Sequence, residues 1–276
     1  MIKKAFFSFF CFLISYIILI AIFPNKGVGT HQWQENQIRA HQFLYEKTSD
    51  TVLIGTSLSA RLLLDSLNTV CSCAFSASVV EDGLRLLLLK EQTPRFVLLE
   101  TNYLLRPSNG DIIKVNTQGP LPTLRRIIPV LREQNSPISL VGFICMRDAL
   151  TPTGEVDIER LERNIENRIS DDHTHYLTET QMTERINTIQ SLIRQVESRG
   201  SIIVLFEMPL NKRIVHTPSN DQTRQVVHRM FPPEMYNYLT NDTSSYLTND
   251  GEHLDSEGQR RYSHFLRNEL KSMLVR

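Results

Sequence analysis

Three short segments with continuous apolar cores constrain the fold of this chain most strongly. They are residues 51–55 (TVLIG), 95–100 (RFVLLE) and 201–206 (SIIVLF), and helical patterns separate them. Strands that are apolar at successive positions, rather than at alternate ones, are buried on both faces, as in a parallel sheet covered by helices. The chain is therefore predicted to form an α/β fold built on a doubly wound parallel sheet.

The remaining patterns complete this fold and divide the chain. Residues 50–276 are predicted to form the α/β domain, and residues 28–49 a linker helix. Residues 103–177 show helical patterns without a strand pattern, so they are predicted to be a mainly helical insertion. A further strand is predicted over 69–76, and helices are predicted over 58–66, 80–91, 121–134, 137–149, 156–168, 178–199 and 256–274.

An uncharged apolar run precedes the domain. At ~1.5 Å per residue, residues 5–23 reach about 28 Å, close to the thickness of the hydrocarbon core. The run is longer than the core of a cleaved signal peptide and lacks a small-x-small cleavage site, so residues 1–27 are predicted to be an uncleaved, single-pass signal anchor. Lys3 and Lys4 precede it. The N-terminus is therefore expected in the cytoplasm, and residues 28–276 on the periplasmic or extracellular side.

Charge and cysteine content narrow the function classes. Lys+Arg and Asp+Glu both number 30, so the chain lacks the basic excess that general nucleic-acid binding needs, and no nucleic acid is expected. Cys71 or Cys73 could pair with Cys145, or all three could be buried thiols. No zinc-type spacing is present, and no metal or other cofactor is expected.

A serine follows the first predicted strand. Gly55-Thr56-Ser57 lies where the strand turns into a helix. In a parallel sheet, ligands bind beyond the carboxyl ends of the strands, so the Ser57 hydroxyl is placed for chemistry, with helix amides beside it to stabilise an oxyanion. The alternative is that Ser57 only caps the helix.

A base with its orienting acid is found near the end of the sequence. Asp250 and His253 lie three residues apart around Gly251. This spacing lets the carboxylate accept the Nδ1 hydrogen of the imidazole while Nε2 faces outward, as in the activation of a serine nucleophile. The alternative is a surface turn before the last helix. The arrangement Ser57…Asp250-x-x-His253 is distinctive, because its acid lies three residues before the histidine, whereas in α/β-hydrolases the acid is usually far from the histidine.

These two motifs together resemble the SGNH (GDSL-like) hydrolase superfamily. The resemblance spans residues 50–275, and Gly55-Thr56-Ser57 and Asp250-Gly-Glu-His253 carry it. With the anchor, the chain looks like the membrane-anchored branch of bacterial envelope biosynthesis, which includes D-alanyl transfer proteins of teichoic acid and alginate acetylation proteins. The resemblance implies a flavodoxin-like three-layer α/β/α fold and a Ser-His-Asp triad of Ser57, His253 and Asp250.

The resemblance also implies an oxyanion hole. In the family it consists of the serine amide, a glycine amide from a second sequence block and an asparagine side chain from a third. Here the donors would be Ser57, Gly83, which lies two residues beyond the family's glycine position, and Asn102. The alternative for Asn102 is a turn residue that ends the strand.

Two functions follow from this reading. The first is an extracytoplasmic serine esterase or O-acyltransferase that acts on ester groups, acetyl above all, of a small ester or of a cell-envelope or exported polysaccharide. The second is a catalytically silent SGNH-like binding or scaffold subunit that partners a membrane acyltransferase. His173 and His175 are interpreted as part of a solvated loop rather than a metal site. Tyr236, Tyr238 and Tyr246 are interpreted as core residues or as platforms for sugar rings.

Overall fold

The structure is a computed structural model. It describes residues 2–22, 27–46, 49–63, 70–146, 157–243 and 245–274. Cys145 lies in a helix whose last side chains are outside this description, so the disulfide prediction stays a prediction.

A parallel sheet forms the centre of the fold. Its strands are β1 (Thr51–Gly55), β2 (Val70–Ala74), β3 (Phe96–Glu100), β4 (Ile202–Phe206) and β5 (Asn237–Leu239). All neighbours pair in parallel, and the order is β2-β1-β3-β4-β5, as in flavodoxin-like folds. Every residue of β1 and β3 is buried, which explains their continuous apolar sequences. The predicted fold class is confirmed.

Helices connect and cover the strands. The 20-residue helix Glu179–Ser198, which precedes β4, is capped by Thr178 in a capping box with Gln181, and it ends before Gly200, which is in the left-handed region at φ 92°. The helices are α1 (Ile2–Ile22), α2 (Gln32–Tyr45), α3 (Ser57–Ala60), α4 (Val80–Leu88), α5 (Asp111–Thr117), α6 (Leu121–Ile127), α7 (Pro137–Met146), α8 (Ile158–Ser170), α9 (Glu179–Ser198), α10 (Pro218–Met230) and α11 (Ser256–Leu274).

One predicted helix is interrupted. The helix expected over 121–134 ends at Ile127, and short 3-10 turns follow at Pro129–Leu131 and Glu133–Asn135. Ile128 is extended, with φ −115° and ψ 92°. The helical region is sterically disfavoured for the residue before a proline, and this accounts for the break at Ile128.

The chain divides into two compact units. One comprises Met1–Glu46 with Lys114–Thr151, and the other comprises Lys47–Ile113 with Pro152–Arg276. In the first unit, the buried polar side of α2 holds the turn at Glu133: His41 Nδ1 accepts from the Glu133 amide at 2.8 Å, and Gln34 Nε2 donates to the Glu133 carboxylate at 2.8 Å. The second unit contains the whole sheet. The predicted division into anchor, linker helix and α/β domain stays a prediction.

Helix α1 is long and apolar enough to cross a membrane. It spans 21 residues, and none of them is buried against the rest of the chain. Such a helix near the N-terminus fits an anchor and also a signal sequence.

Candidate active site

The turn after β1 presents Ser57 as the first residue of α3. Thr56 is extended and caps this short helix, because its Oγ1 accepts from the Leu58 amide at 3.3 Å. The capping role therefore belongs to Thr56, and the Ser57 hydroxyl is left for another partner. The Ser57 amide donates to no acceptor within the described residues, although the amides on both sides of it do.

A second turn positions the acid and the base. Asp250 Oδ1 accepts from the backbone amides of His253 at 2.7 Å and Glu252 at 3.1 Å, which fixes the loop around its side chain. Gly251 has φ 94°, and a Cβ there would lie 2.7 Å from a methyl group of Ile214. Only glycine fits this tight, left-handed position.

The two turns meet and form a serine–histidine–aspartate array. His253 Nε2 lies 3.0 Å from Ser57 Oγ, and His253 Nδ1 lies 2.7 Å from Asp250 Oδ2. These residues are 196 positions apart in the sequence, yet both distances are those of direct hydrogen bonds. The structure thus brings the three predicted triad residues together in the order nucleophile, base, orienting acid.

The lowered pKa of Asp250 fits a carboxylate that orients His253. Burial alone would raise the pKa of Asp250. Hydrogen bonds from the ring and the backbone of His253 outweigh that effect and hold the pKa at about 2. The carboxylate is therefore ionised at neutral pH and can stabilise an imidazolium beside it.

Glu100 lies beneath the nucleophile turn, and the sequence analysis did not include it in the site. Its carboxylate is completely buried and accepts four hydrogen bonds. They come from the amide and hydroxyl of Thr56, at 3.0 and 2.6 Å, and from the amide and hydroxyl of Ser59, at 3.2 and 2.6 Å. Burial raises the pKa of Glu100 against the effect of these four neutral donors. Glu100 thus fixes the backbone on both sides of Ser57.

Gly55 makes this close approach of Glu100 sterically feasible. A Cβ at Gly55 would lie 2.5 Å from Glu100 Oε2 and 2.0 Å from Ser59 Oγ. A glycine before the nucleophile turn and a glutamate at the end of the neighbouring strand therefore form one arrangement. The sequence does not reveal this arrangement from either residue alone, because a glutamate after four apolar strand residues is also typical of a polar strand end.

Asn102 links the ends of two strands. Its Nδ2 donates to the Met208 carbonyl at 2.9 Å, and its Oδ1 accepts from the Met208 amide at 2.7 Å. One amide hydrogen and the carbonyl oxygen are thus used in holding the exits of β3 and β4 together. No hydrogen bond joins Asn102 to Ser57 or His253 in the described part of the chain, so its oxyanion role stays a prediction.

Gly83 has a packing position in α4. A Cβ there would lie 2.6 Å from a methyl group of Ile54 and 2.7 Å from the Cys73 carbonyl, so its lack of a side chain lets α4 approach the sheet. Its amide is inside a helix, where such groups bond to the carbonyl four residues earlier. No hydrogen bond joins Gly83 to Ser57 or His253 in the described part of the chain, so its oxyanion role stays a prediction.

A cavity of about 740 Å³ opens at the carboxyl ends of β3, β4 and β5. Asn102, Arg224, Tyr238, Asn241 and Tyr246 are among the residues that line it. This volume is within the usual range for small-molecule sites, and the lining combines aromatic rings with hydrogen-bonding groups. The residues that the structure describes include no cluster of three or more potential metal ligands.

No family model and no curated protein sequence matches the chain. A solved structure of a protein provisionally assigned as a platelet activating factor from Streptococcus pneumonia is similar to it, with a TM-score of 0.45 and 14% sequence identity. The match covers 87% of this chain and 92% of the other. At this level of similarity, the functional assignment rests on the residues of the chain itself.

Proposed function

We propose that this chain is a serine esterase or O-acyltransferase of the SGNH type, in which Ser57 forms an acyl-enzyme. The observation that carries the proposal is the position of His253, with Nε2 3.0 Å from Ser57 Oγ and Nδ1 2.7 Å from Asp250 Oδ2. A nucleophile, a base and an orienting acid in hydrogen-bond contact are the requirements for covalent acyl transfer.

The proposed first half-reaction forms the acyl-enzyme. His253 Nε2 takes the proton of Ser57 as Oγ attacks the ester carbonyl, and Asp250 stabilises the imidazolium. The tetrahedral intermediate collapses as His253 protonates the leaving alcohol, and Ser57 keeps the acyl group. The Ser57 amide, which has no other acceptor within the described chain, would donate to the oxyanion, and the second Nδ2 hydrogen of Asn102 is the candidate for a further bond.

The second half-reaction returns the enzyme to its starting state. His253 removes a proton from an acceptor hydroxyl, which attacks the acyl carbon, and the Ser57 oxygen then leaves and recovers its proton. Water as acceptor gives an esterase, and a sugar hydroxyl gives an O-acyltransferase. The cavity at the ends of β3 to β5 has Asn102, Tyr238 and Tyr246 in its lining, but neither Ser57 nor His253, so it is a candidate site for the remote part of an acceptor larger than water. We therefore propose a polysaccharide or a smaller glycoside as the acceptor or ester-bearing substrate.

One observation favours the second candidate, a silent scaffold subunit that assists a membrane acyltransferase. Asn102 already uses one Nδ2 hydrogen and its Oδ1 on Met208, and the amide of Gly83 lies within α4, so the Ser57 amide and the second Nδ2 hydrogen of Asn102 are the donors left among the predicted three. Loss of one oxyanion donor typically lowers the rate by ~10²–10³, so a site that lacks one of the three would be a poorer catalyst.

Labelling with a fluorophosphonate probe distinguishes these two functions. The full chain in detergent is compared with Ser57→Ala, His253→Ala and Ser198→Ala, the last at an exposed serine in α9. We expect the parent and Ser198→Ala to be labelled and the first two variants to stay unlabelled. A folded parent that resists the probe would overturn the esterase proposal and support the scaffold.

A further inference from the structure

Five exposed apolar side chains lie on two helices of the unit that contains α1. In α6, Leu121 and Leu124 are 50% and 39% exposed, and Ile127 is 72% exposed. In α7, Ile138 and Val141 are 63% and 57% exposed. Leu121 and Leu124 share one helix face because they lie three residues apart, and so do Ile138 and Val141. We call these five residues the apolar face.

Within the unit, α1 contacts the turn before α7, and the chain that follows α1 contacts α7 itself. The Tyr16 hydroxyl donates to the Asn135 carbonyl. The chain that follows α1 then runs beside α7, where the Val28 amide donates to the Ser139 carbonyl at 3.0 Å. A Cβ at Gly27 would collide with the Gln134 carbonyl, so this approach is close.

These contacts set the depth of the turn relative to a bilayer. Tyr16 precedes Ile22, the last residue of α1, by six residues, or about 9 Å along the helix. If α1 crosses a membrane with Ile22 at the boundary between headgroups and acyl chains, a backbone that touches Tyr16 lies about 9 Å inside that boundary. Interfacial amphipathic helices bury their apolar face to a similar depth, ~5–10 Å.

The charged and aromatic residues of this unit fit a position at the membrane interface. Arg126 is exposed in the same segment, Arg132 donates to the Arg125 and Arg126 carbonyls, and Glu133 is the one acidic residue between 120 and 143. The chain's single tryptophan, Trp33, is 43% exposed at the start of α2 in the same unit. Basic residues next to apolar ones, with tryptophan at the boundary, are typical of segments that lie in the interface of an anionic bilayer.

We propose that the apolar face is a second membrane contact, inserted in the interface of an anionic bilayer beside α1. The segment is too short to span a bilayer, since α7 has 10 residues. Instead it holds its unit against the membrane surface, so that the chain is attached at two places rather than by one helix. The proposal goes beyond the catalytic one and does not depend on it.

Tryptophan fluorescence of the full chain in vesicles tests this contact. The vesicles contain phosphatidylcholine and phosphatidylglycerol, with bromine on the upper part of the acyl chains as the quencher. In a Trp33→Phe background, single tryptophans are introduced by Ile127→Trp and by Ile138→Trp. The matched control is Met235→Trp, at a position that is 78% exposed in the other unit. We expect bromine to quench the indoles at 127 and 138 and shift their emission to the blue, and to leave the indole at 235 unaffected.

Equal quenching at all three positions, or none at 127 and 138, would overturn the proposal. Native Trp33 in the unmodified chain gives a second measurement that requires no substitution: we expect bromine at the same depth to quench it, and an unquenched Trp33 counts against the proposal.

Discussion

At the scale of single residues, Asp250 has the clearest consequence for pH. Its pKa of about 2 is below the ordinary 3.8, so its contribution to stability is fully present above about pH 4 and is lost as the pH falls through about 2. With 32% of the side chain exposed, that contribution is about 1–2 kcal/mol.

Asp250→Asn is therefore expected to lower the free energy of unfolding at pH 7 by about 1–2 kcal/mol, and by progressively less as the pH approaches 2. Urea unfolding of the full chain in detergent, repeated from pH 7 to pH 2, measures the difference. Glu257→Gln is the control, because it removes a carboxylate that is 60% exposed. A difference between parent and Asp250→Asn that stays constant with pH would contradict the assigned pKa.

Glu100 gives a second prediction at this scale. In Glu100→Gln an NH₂ group faces the donors of Thr56 and Ser59, so the turn is expected to shift and Ser57 to lose its alignment with His253. Since small misplacements of reacting groups are costly, we expect kcat for p-nitrophenyl acetate to fall by roughly 10–100-fold. KM should change little, because the substituted side chain is buried beneath the turn.

A purely structural role for Glu100 predicts a different pattern. The Gln variant would then unfold more easily but keep its kcat in the folded fraction. Glu100→Asp provides the second comparison: it keeps the charge and shortens the reach, so a partial recovery of kcat over the Gln variant is expected. Equal kcat in the parent and both variants would exclude Glu100 from positioning Ser57.

At the scale of secondary structure, the elements that could be predicted are those with a continuous apolar run or a regular helical period. β1, β3 and β4 have continuous apolar sequences, and the predicted bounds for α9 match the structure to within a residue at each end. β5 has only three residues and begins with Asn237, so no apolar run marks it. α11 begins at Ser256 as expected, and Asp255 caps it by accepting from the Gly258 amide at 2.6 Å.

Gly83 gives a prediction at this scale, because it concerns how a helix packs on a sheet. Gly83→Ala places a Cβ 2.7 Å from the Cys73 carbonyl, a backbone atom that cannot rotate away. We expect a loss of about 1–3 kcal/mol in unfolding free energy, as in other overpacked sites. Fluorophosphonate labelling of Ser57 should persist in the folded fraction.

Ser191→Ala, on the exposed side of α9, is the control and should change stability by less than about 0.5 kcal/mol. If Gly83→Ala had normal stability but lost labelling, Gly83 would act in the oxyanion hole rather than in helix packing. Chemical denaturation and labelling of the same preparations separate the two outcomes.

At the scale of the whole molecule, the sheet order explains why the predicted residues could be found from the sequence. β1 is internal in the sheet, and in such folds ligands bind beyond the carboxyl ends of the strands. Ser57 follows β1, and Asn102 follows β3. The role of Glu100 and the pairing of α2 with the turn at Glu133 could not be found in this way, since each depends on contacts between distant segments with no periodic pattern.

Orientation across the membrane is a prediction at this scale. Lys3 and Lys4 precede α1's apolar residues, so the N-terminus is expected to stay in the cytoplasm. In a Gram-negative host, alkaline phosphatase fused after Arg276 should be active, because it folds only after export. Green fluorescent protein at the same site is the matched reporter, since it is fluorescent only on the cytoplasmic side, and a fluorescent fusion with an inactive phosphatase would show that the orientation is reversed.

The long sequence separation between nucleophile and base also bears on when this site can act. Ser57 leaves the ribosome 196 residues before His253. A chain still in synthesis therefore has a serine without its base, whatever has already folded around β1. Any acyl transfer by this chain must wait until the last turn before α11 has been made and has closed over the first strand.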